Sequence, residues 1–219
     1  MQANYGTLAG NARVNSRIHE CLEMLFEEDA RKFVKKFRHD PSDQSAHTFR
    51  ELLVGAYLVG QRLKARYDKQ VLGKTPDWSS LDNSDTVVGV IEQMTFHQTR
   101  TIEIDIENAL RAGTSWTGWL PSNVDRLFQK LHEKAERYDA IATTLQVPYV
   151  VAIFGDGAAS VDRDELDEVL FKAHNGGAFS QFTVLSGVLF FEESAGQYTF
   201  TYIENPDAFR TMKLGNAVL

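Results

Sequence analysis

Between Val14 and Arg38 the apolar positions Ile18, Leu22, Leu25, Phe26, Phe33 and Phe37 return at steps of three and four, the spacing that lines up one side of a helix. The segment HDPSDQSA (39–46) then carries a proline and several polar turn formers, so this helix is expected to stop there. A second helix is expected from about Thr48 to Tyr67. Its residues Phe49, Leu52, Leu53, Val54, Ala56, Tyr57, Leu58, Val59 and Leu63 are apolar around most of the circumference, which calls for packing on more than one side. Gly55 and Gly60 weaken that helix but admit a closely approaching neighbour. DTVVGVIEQMTF (85–96) is rich in β-branched residues and reads as a strand. Residues 97–121 mix strand-like, helix-like and loop-like patterns and are taken as an insertion of undefined shape. From Ser122 the helical period is firm, through Val124, Leu127, Phe128, Leu131, Ala135, Tyr138 and Ile141 to Leu145, and SNVD at its start resembles a capping box. VPYVVAIF (147–154) has the continuous apolar character of a strand buried on both faces. DRDE (162–165) opens a short helix to about Ala173, and FTVLSGVLFFE (182–192) with QYTFTYIEN (197–205) forms a hairpin across ESAG.

This order predicts an α/β fold, a central mixed β-sheet flanked by helices. Residues 1–46 form an N-terminal helical segment packed on the core, and residues 47–219 form the α/β domain, in one compact domain overall. A chain of 219 residues with 43% hydrophobic content is long enough for such a core. Its longest nearly apolar runs, 52–60 and 147–154, are far shorter than the roughly 20 residues that span a bilayer, so no membrane partner is expected. The N-terminal stretch lacks a basic segment followed by an apolar run, and the lone Cys21 can form no internal disulfide, both of which suit a cytoplasmic location. A net charge of −7 argues against a surface that tracks nucleic acid over its whole extent, though not against local basic patches. The clearest such patch, RKFVKKFRH (31–39), interleaves five Lys/Arg with Phe33, Val34 and Phe37 and reads as the solvated face of an amphipathic helix.

Candidate chemistry lies in three acids at element junctions: Glu51 in the second helix, Asp77 in the turn LGKTPDWSS, and Glu92 inside the strand. Alternation puts Val88, Val90, Glu92 and Met94 on one strand face, and a glutamate among such neighbours needs a cation or donor to stay ionised. An arginine such as Arg62 is one candidate partner. Asp77 after Pro76 suits a turn, and Glu51 also completes a capping box, TFRE (48–51). If Asp77 enters the sheet beside Glu92, the two carboxylates converge into a site for a hard divalent cation. His97 and His132 lack the spacing of a metal motif, Trp116 and Trp119 are either base-stacking platforms or core cover, and DGAASVD (156–162) lacks the ligand alternation of a calcium loop.

A helical Glu, then PD, then ExM fifteen residues on, then a helix and a buried strand resembles the PD-(D/E)xK nuclease superfamily, the restriction-endonuclease-like fold. The resemblance runs from about His47 to Asn205 and rests on motif order and spacing. It implies a nuclease that hydrolyses phosphodiester bonds with Mg²⁺, or Mn²⁺ in its place, on nucleic acid, DNA before RNA. It also implies Asp77 and Glu92 as metal ligands, the carbonyl of Gln93 as a further ligand, and Glu51 supporting the metal or its waters. Met94 stands where the motif lysine belongs. Lys134, four residues before Tyr138, resembles the QxxxY element of exonuclease branches with Lys for Gln, and is the candidate displaced lysine; its alternative is a solvated lysine paired with Glu133 or Glu136. The competing reading is a nuclease fold that has lost catalysis and serves as a binding or assembly module. Both leave open a homodimer or a protein partner.

Overall fold

The computed structural model describes residues 12–39, 42–94, 96, 104–105, 108–109, 111–115, 117, 122–155 and 161–219. His97, Trp116, Trp119, most of the 97–121 insertion and residues 156–160 of DGAASVD therefore lie outside the described residues. Three helices lead the described residues: α1 (Ala12–Met24), α2 (Glu27–His39) and α3 (Ser42–Gly60). The single helix expected over 14–38 is thus two. Leu25 N–H closes back on the Leu22 carbonyl at 3.2 Å, and Glu27, Glu28 and Asp29 start α2, where the helix dipole favours acids. The third helix begins at Ser42 rather than Thr48, so TFRE lies inside it and Glu51 does not cap it.

The same helix stops at Gly60 instead of running to Tyr67. Arg62 takes a left-handed φ of 63°, the chain reverses, and 64–67 become a strand, β1 (Lys64–Tyr67). β1 turns through a two-residue hairpin tip at Leu72 and Gly73, both at positive φ, into β2 (Trp78–Leu81). The chain continues through β3 (Val87–Met94), α4 (Val124–Leu145), β4 (Tyr149–Gly155), α5 (Arg163–Phe171), α6 (Ala173–Gln181), β5 (Leu185–Ser194), β6 (Gln197–Glu204) and β7 (Ala217–Val218). Neither β1, β2, β7 nor α6 was expected from the sequence. At the start of α5 the side chain of Asp162 accepts the Glu165 N–H at 2.9 Å, a true cap. At α4 the expected box is not formed: Asn123 makes no side-chain cap, and Ser122 Oγ accepts from Val124 N–H at 3.3 Å instead.

The strands form one mixed sheet in sequential order β1 to β7, parallel only where α4 and then α5 and α6 cross over, at β3–β4 and β4–β5. Two cores cover its faces. One joins α1–α3 to Trp78, Ile91, Val150 and Leu189; the other joins α4–α6 to Val90, Met94, Val151 and Phe190. The predicted α/β class and mixed central sheet are therefore observed. Among the described residues, no helix is long and apolar enough to cross a membrane.

Trp78 shows how tightly the first face closes. It is fully buried, its indole N–H donates to the Glu51 carbonyl at 2.9 Å, and a Cβ on Gly55 would stand 2.0 Å from its ring. Gly55 is thus the close approach expected of it, whereas Gly60 has only Met24 within reach, at 3.8 Å.

Candidate active site

The face that each acid occupies follows from strand alternation. Trp78 and Ile91 point to the α3 side, so their neighbours Asp77 and Glu92 sit on the α4 side, at the N-terminal end of β2 and the C-terminal end of β3. There the two residues interlock. Asp77 N–H points at Glu92 Oε2 at 3.3 Å, while the Asp77 carboxylate accepts the Gln93 N–H at 2.7 Å. A strand residue's amide and carbonyl face the same neighbour, so the Gln93 carbonyl opens to the side from which Asp77 approaches.

The cation that compensates Glu92 comes from the helix. Lys134 Nζ lies 2.7 Å from Glu92 Oε1, with Glu92 buried and the lysine side chain 22% exposed. Lys134 is therefore neither a solvated lysine paired with Glu133 or Glu136, nor is Arg62 the partner of Glu92. One turn further along α4, Tyr138 lies against the same acid. Its hydroxyl is fully buried and feels the Glu92 charge, yet makes no hydrogen bond of good geometry, and the hydroxyl of Tyr149, stacked on it at 5.2 Å, is likewise unpartnered. Burial first, and then the charge of Glu92, raises both phenols.

Asp77 pays for its position electrostatically. Burial, then the neighbouring charges of Glu92 and Glu51, push its carboxyl up to about 7, against the opposing pull of the Gln93 N–H and Lys134. Asp77, Glu92 and Lys134 line a cavity of about 570 Å³ together with His47, Thr75, Gln93, Met94, Lys130, Glu133 and Arg137.

Glu51 is placed differently from the other two acids. It belongs to the α3 side and does not line the cavity; His47, one turn before it, does. Glu51 takes His47 Nε2 at 2.9 Å and Lys36 Nζ at 3.1 Å, and Tyr67 donates its hydroxyl to the same carboxylate. Burial opposes its charge, but His47, Lys36 and Tyr67 outweigh burial and hold its carboxyl below the usual range. Met94 is buried in the α4-side core and offers no charge. Two cavity residues not singled out from the sequence, Lys130 and Arg137, share the helical spacing of Lys134, and that spacing was the available signal; Glu133, named there only as a possible partner of Lys134, also lines the cavity. His47 and Thr75 had none.

The donor set suits a hard cation. Asp77, Glu92 and the Gln93 carbonyl offer oxygen only, two like charges are crowded together, and an orphaned buried hydroxyl stands beside them. Among the described residues, no three His, Cys, Asp or Glu side chains group closely enough to hold a metal by themselves. Mg²⁺ characteristically uses one or two carboxylates and completes its shell with waters and substrate phosphate. Compared with protein-family models, curated proteins and solved structures, the chain finds no match.

Proposed function

We propose that this cavity is the active site of a Mg²⁺-dependent nuclease of the PD-(D/E)xK type, acting on DNA, in which the motif lysine is supplied by α4. The observation that carries the reading is the 2.7 Å contact of Lys134 with Glu92, directly beside Asp77. The vacated strand position, Met94, and the amine-bearing helix position face the same acid, so the usual trio of two carboxylates and one ammonium is assembled from a different element.

In this reading Asp77, Glu92 and the Gln93 carbonyl hold the metal, which supplies Lewis-acid charge and lowers the pKa of bound water. The chain's own groups do the rest. Lys134 offsets the negative charge that builds on the phosphoryl oxygens as water adds to phosphorus and the bond to the leaving sugar oxygen breaks. His47, fixed by Glu51, presents a ring to the cavity, so Glu51 acts through it and not by direct contact. The Tyr138 hydroxyl, buried and unpartnered within the field of Glu92, is a spare donor beside that acid.

Purified protein should nick supercoiled plasmid with Mg²⁺ or Mn²⁺, and Asp77→Ala should abolish nicking. Nicking that survives that substitution sinks the assignment. Met94 supports a second reading, a nuclease fold retained as a binding or assembly module without catalysis. That reading expects no cleavage of any nucleic acid and no Mg²⁺-dependent heat in titration calorimetry.

A further inference from the structure

Apart from Glu133, the charges of α4 are sorted by flank. Arg126, Lys130, Lys134 and Arg137 recur at steps of four, four and three, which places them within an arc of roughly 80° on a helix of 3.6 residues per turn. Asp125, Glu136 and Asp139 lie on the opposite flank. The two flanks border different cavities. Lys130, Lys134 and Arg137 line the one that holds Asp77 and Glu92, whereas His132, Glu136 and Asp139 line a second, of about 660 Å³.

The basic flank is also buttressed. Arg126 lies 4.8 Å and Lys130 5.8 Å from the ring of buried Phe96, and Arg137 and Lys74 lie 5.5 and 5.8 Å from the ring of buried Tyr138. Lys74 further donates to the Arg137 carbonyl, which adds a fifth cation at the far end of the row. Among the described residues, neither Lys130 nor Arg137 has a carboxylate partner within ion-pair distance. Glu133 also faces the cavity, beside Lys134, and accepts from Gln129 at 3.2 Å. In a chain of net charge −7, a row of cations on one flank of one helix is a segregation that overall composition does not produce.

We propose that the basic flank of α4 is the track along which the phosphate backbone of a nucleic-acid strand lies as it crosses the cavity. Lys130 and Arg137 grip phosphates on either side of the one presented to Asp77 and Glu92, and Arg126 holds the strand further out. This rests on reading the cavity as a phosphodiester site. The occupant follows from charge complementarity and from continuity with that cavity. The eleven helical rises from Arg126 to Arg137 extend about 16 Å, a short track that a few nucleotides of an extended strand fill. Contacts to phosphate position a strand without reading its bases, so binding along the track is independent of sequence.

The test uses the full-length Asp77→Asn protein in EDTA, which separates binding from cleavage, with fluorescein-labelled single strands of 3 to 20 nucleotides read by anisotropy. Affinity should climb with length over the first few nucleotides and then level off. Lys130→Ala and Arg137→Ala should each weaken binding several-fold and reduce the slope of log affinity against log salt by about 0.7, equally for unrelated sequences, while Glu136→Gln on the opposite flank changes neither. Circular dichroism confirms that the variants fold. No binding, or slopes that stay at the parent value in both lysine and arginine variants, overturns the track. So does inorganic polyphosphate that competes equally while affinity shows no length dependence, which marks a mere cationic patch. The two readings fail separately. Cleavage by the natural protein with an unchanged slope in Lys130→Ala removes the track and keeps the hydrolase; track binding by a protein that cuts nothing removes the hydrolase and keeps the track.

Discussion

Replacing Lys134 with Met removes the partner of a buried carboxylate while keeping the hydrophobic stem of the side chain. Breaking a fully buried pair by deleting one member costs about 3–5 kcal/mol. Two features of this site lower that figure. The lysine is 22% exposed, and Glu92 keeps the Asp77 N–H at 3.3 Å. A loss of about 2–3 kcal/mol is therefore expected, or a fall in Tm of roughly 5–10 °C for a domain of this size. Urea unfolding in EDTA at neutral pH, followed by tryptophan fluorescence, measures it. Glu92→Gln and the double variant complete a cycle, and the coupling between the two positions should be about 1.5–2.5 kcal/mol, because the double variant leaves no unpaired charge. Lys130→Met, which removes a lysine with no ion-pair partner among the described residues, is the control and should stay within about 0.5 kcal/mol. If Lys134→Met is equally mild, or if the cycle is additive, then Lys134 does not hold Glu92 and the helix does not supply the site's ammonium.

Asp77 gives a pH signature. Its carboxyl is raised by burial and by Glu92 to about 7, so the folded protein holds a proton that the unfolded chain gives up near the ordinary Asp value of 3.8. The stabilisation is complete below that lower value and is lost as pH rises toward and through about 7. Metal-free protein should thus lose roughly 1–4 kcal/mol of stability between acid and slightly alkaline pH. Asp77→Asn should flatten that slope, and unfolding curves at several pH values test it. Millimolar Mg²⁺ at pH 8 should raise the Tm of the natural protein and leave Asp77→Asn unmoved, as differential scanning fluorimetry would show. Glu51→Gln breaks the pairing with Lys36 and His47 and should cost about 2–4 kcal/mol, yet shift Mg²⁺ affinity by less than about threefold in calorimetry, because Glu51 does not line the cavity. A loss of all metal binding would place Glu51 on the ion. Gly55→Ala should destabilise by more than about 2 kcal/mol in urea although helix propensity alone favours Ala by about 1 kcal/mol, since the new Cβ would stand 2.0 Å from the Trp78 ring.

What the chain revealed in advance depended on whether a feature was local. The period of α4, the apolar run of β4, the hairpin of β5 and β6 and the Asp162 cap are all written in neighbouring residues, and each stands in the structure. β1 and β2 have four residues each, too short for a two-residue period to stand out, and Leu63 to Tyr67 continue the apolar character of α3 closely enough to be read as more helix. Only the reversal at Arg62, a left-handed residue that no side-chain pattern announces, separates them. Glu51 illustrates the same limit at the site. Its spacing from Asp77 and Glu92 is suggestive, but its side of the sheet is decided by which way Trp78 points, and that requires knowing the register of β2 on β3.

Met94 and Lys134 join these two kinds of information. Residues 92 and 94 of a strand share a face, so a side chain at 94 points toward the same layer that α4 occupies. Met94 is buried although it borders the cavity, so an ammonium offered from position 94 would have to give up most of its hydration. An ammonium offered from α4 approaches the acid from the rim, keeps part of its hydration, and lays its methylene stem on the core. Methionine fills the strand position as an adaptable apolar residue without a charge to satisfy. If the chain is the nuclease proposed above, offering the cation from the helix rather than the strand keeps the contact with Glu92 while relieving the burial of a charge, and Met94 is then no sign by itself that the site has lost its ammonium.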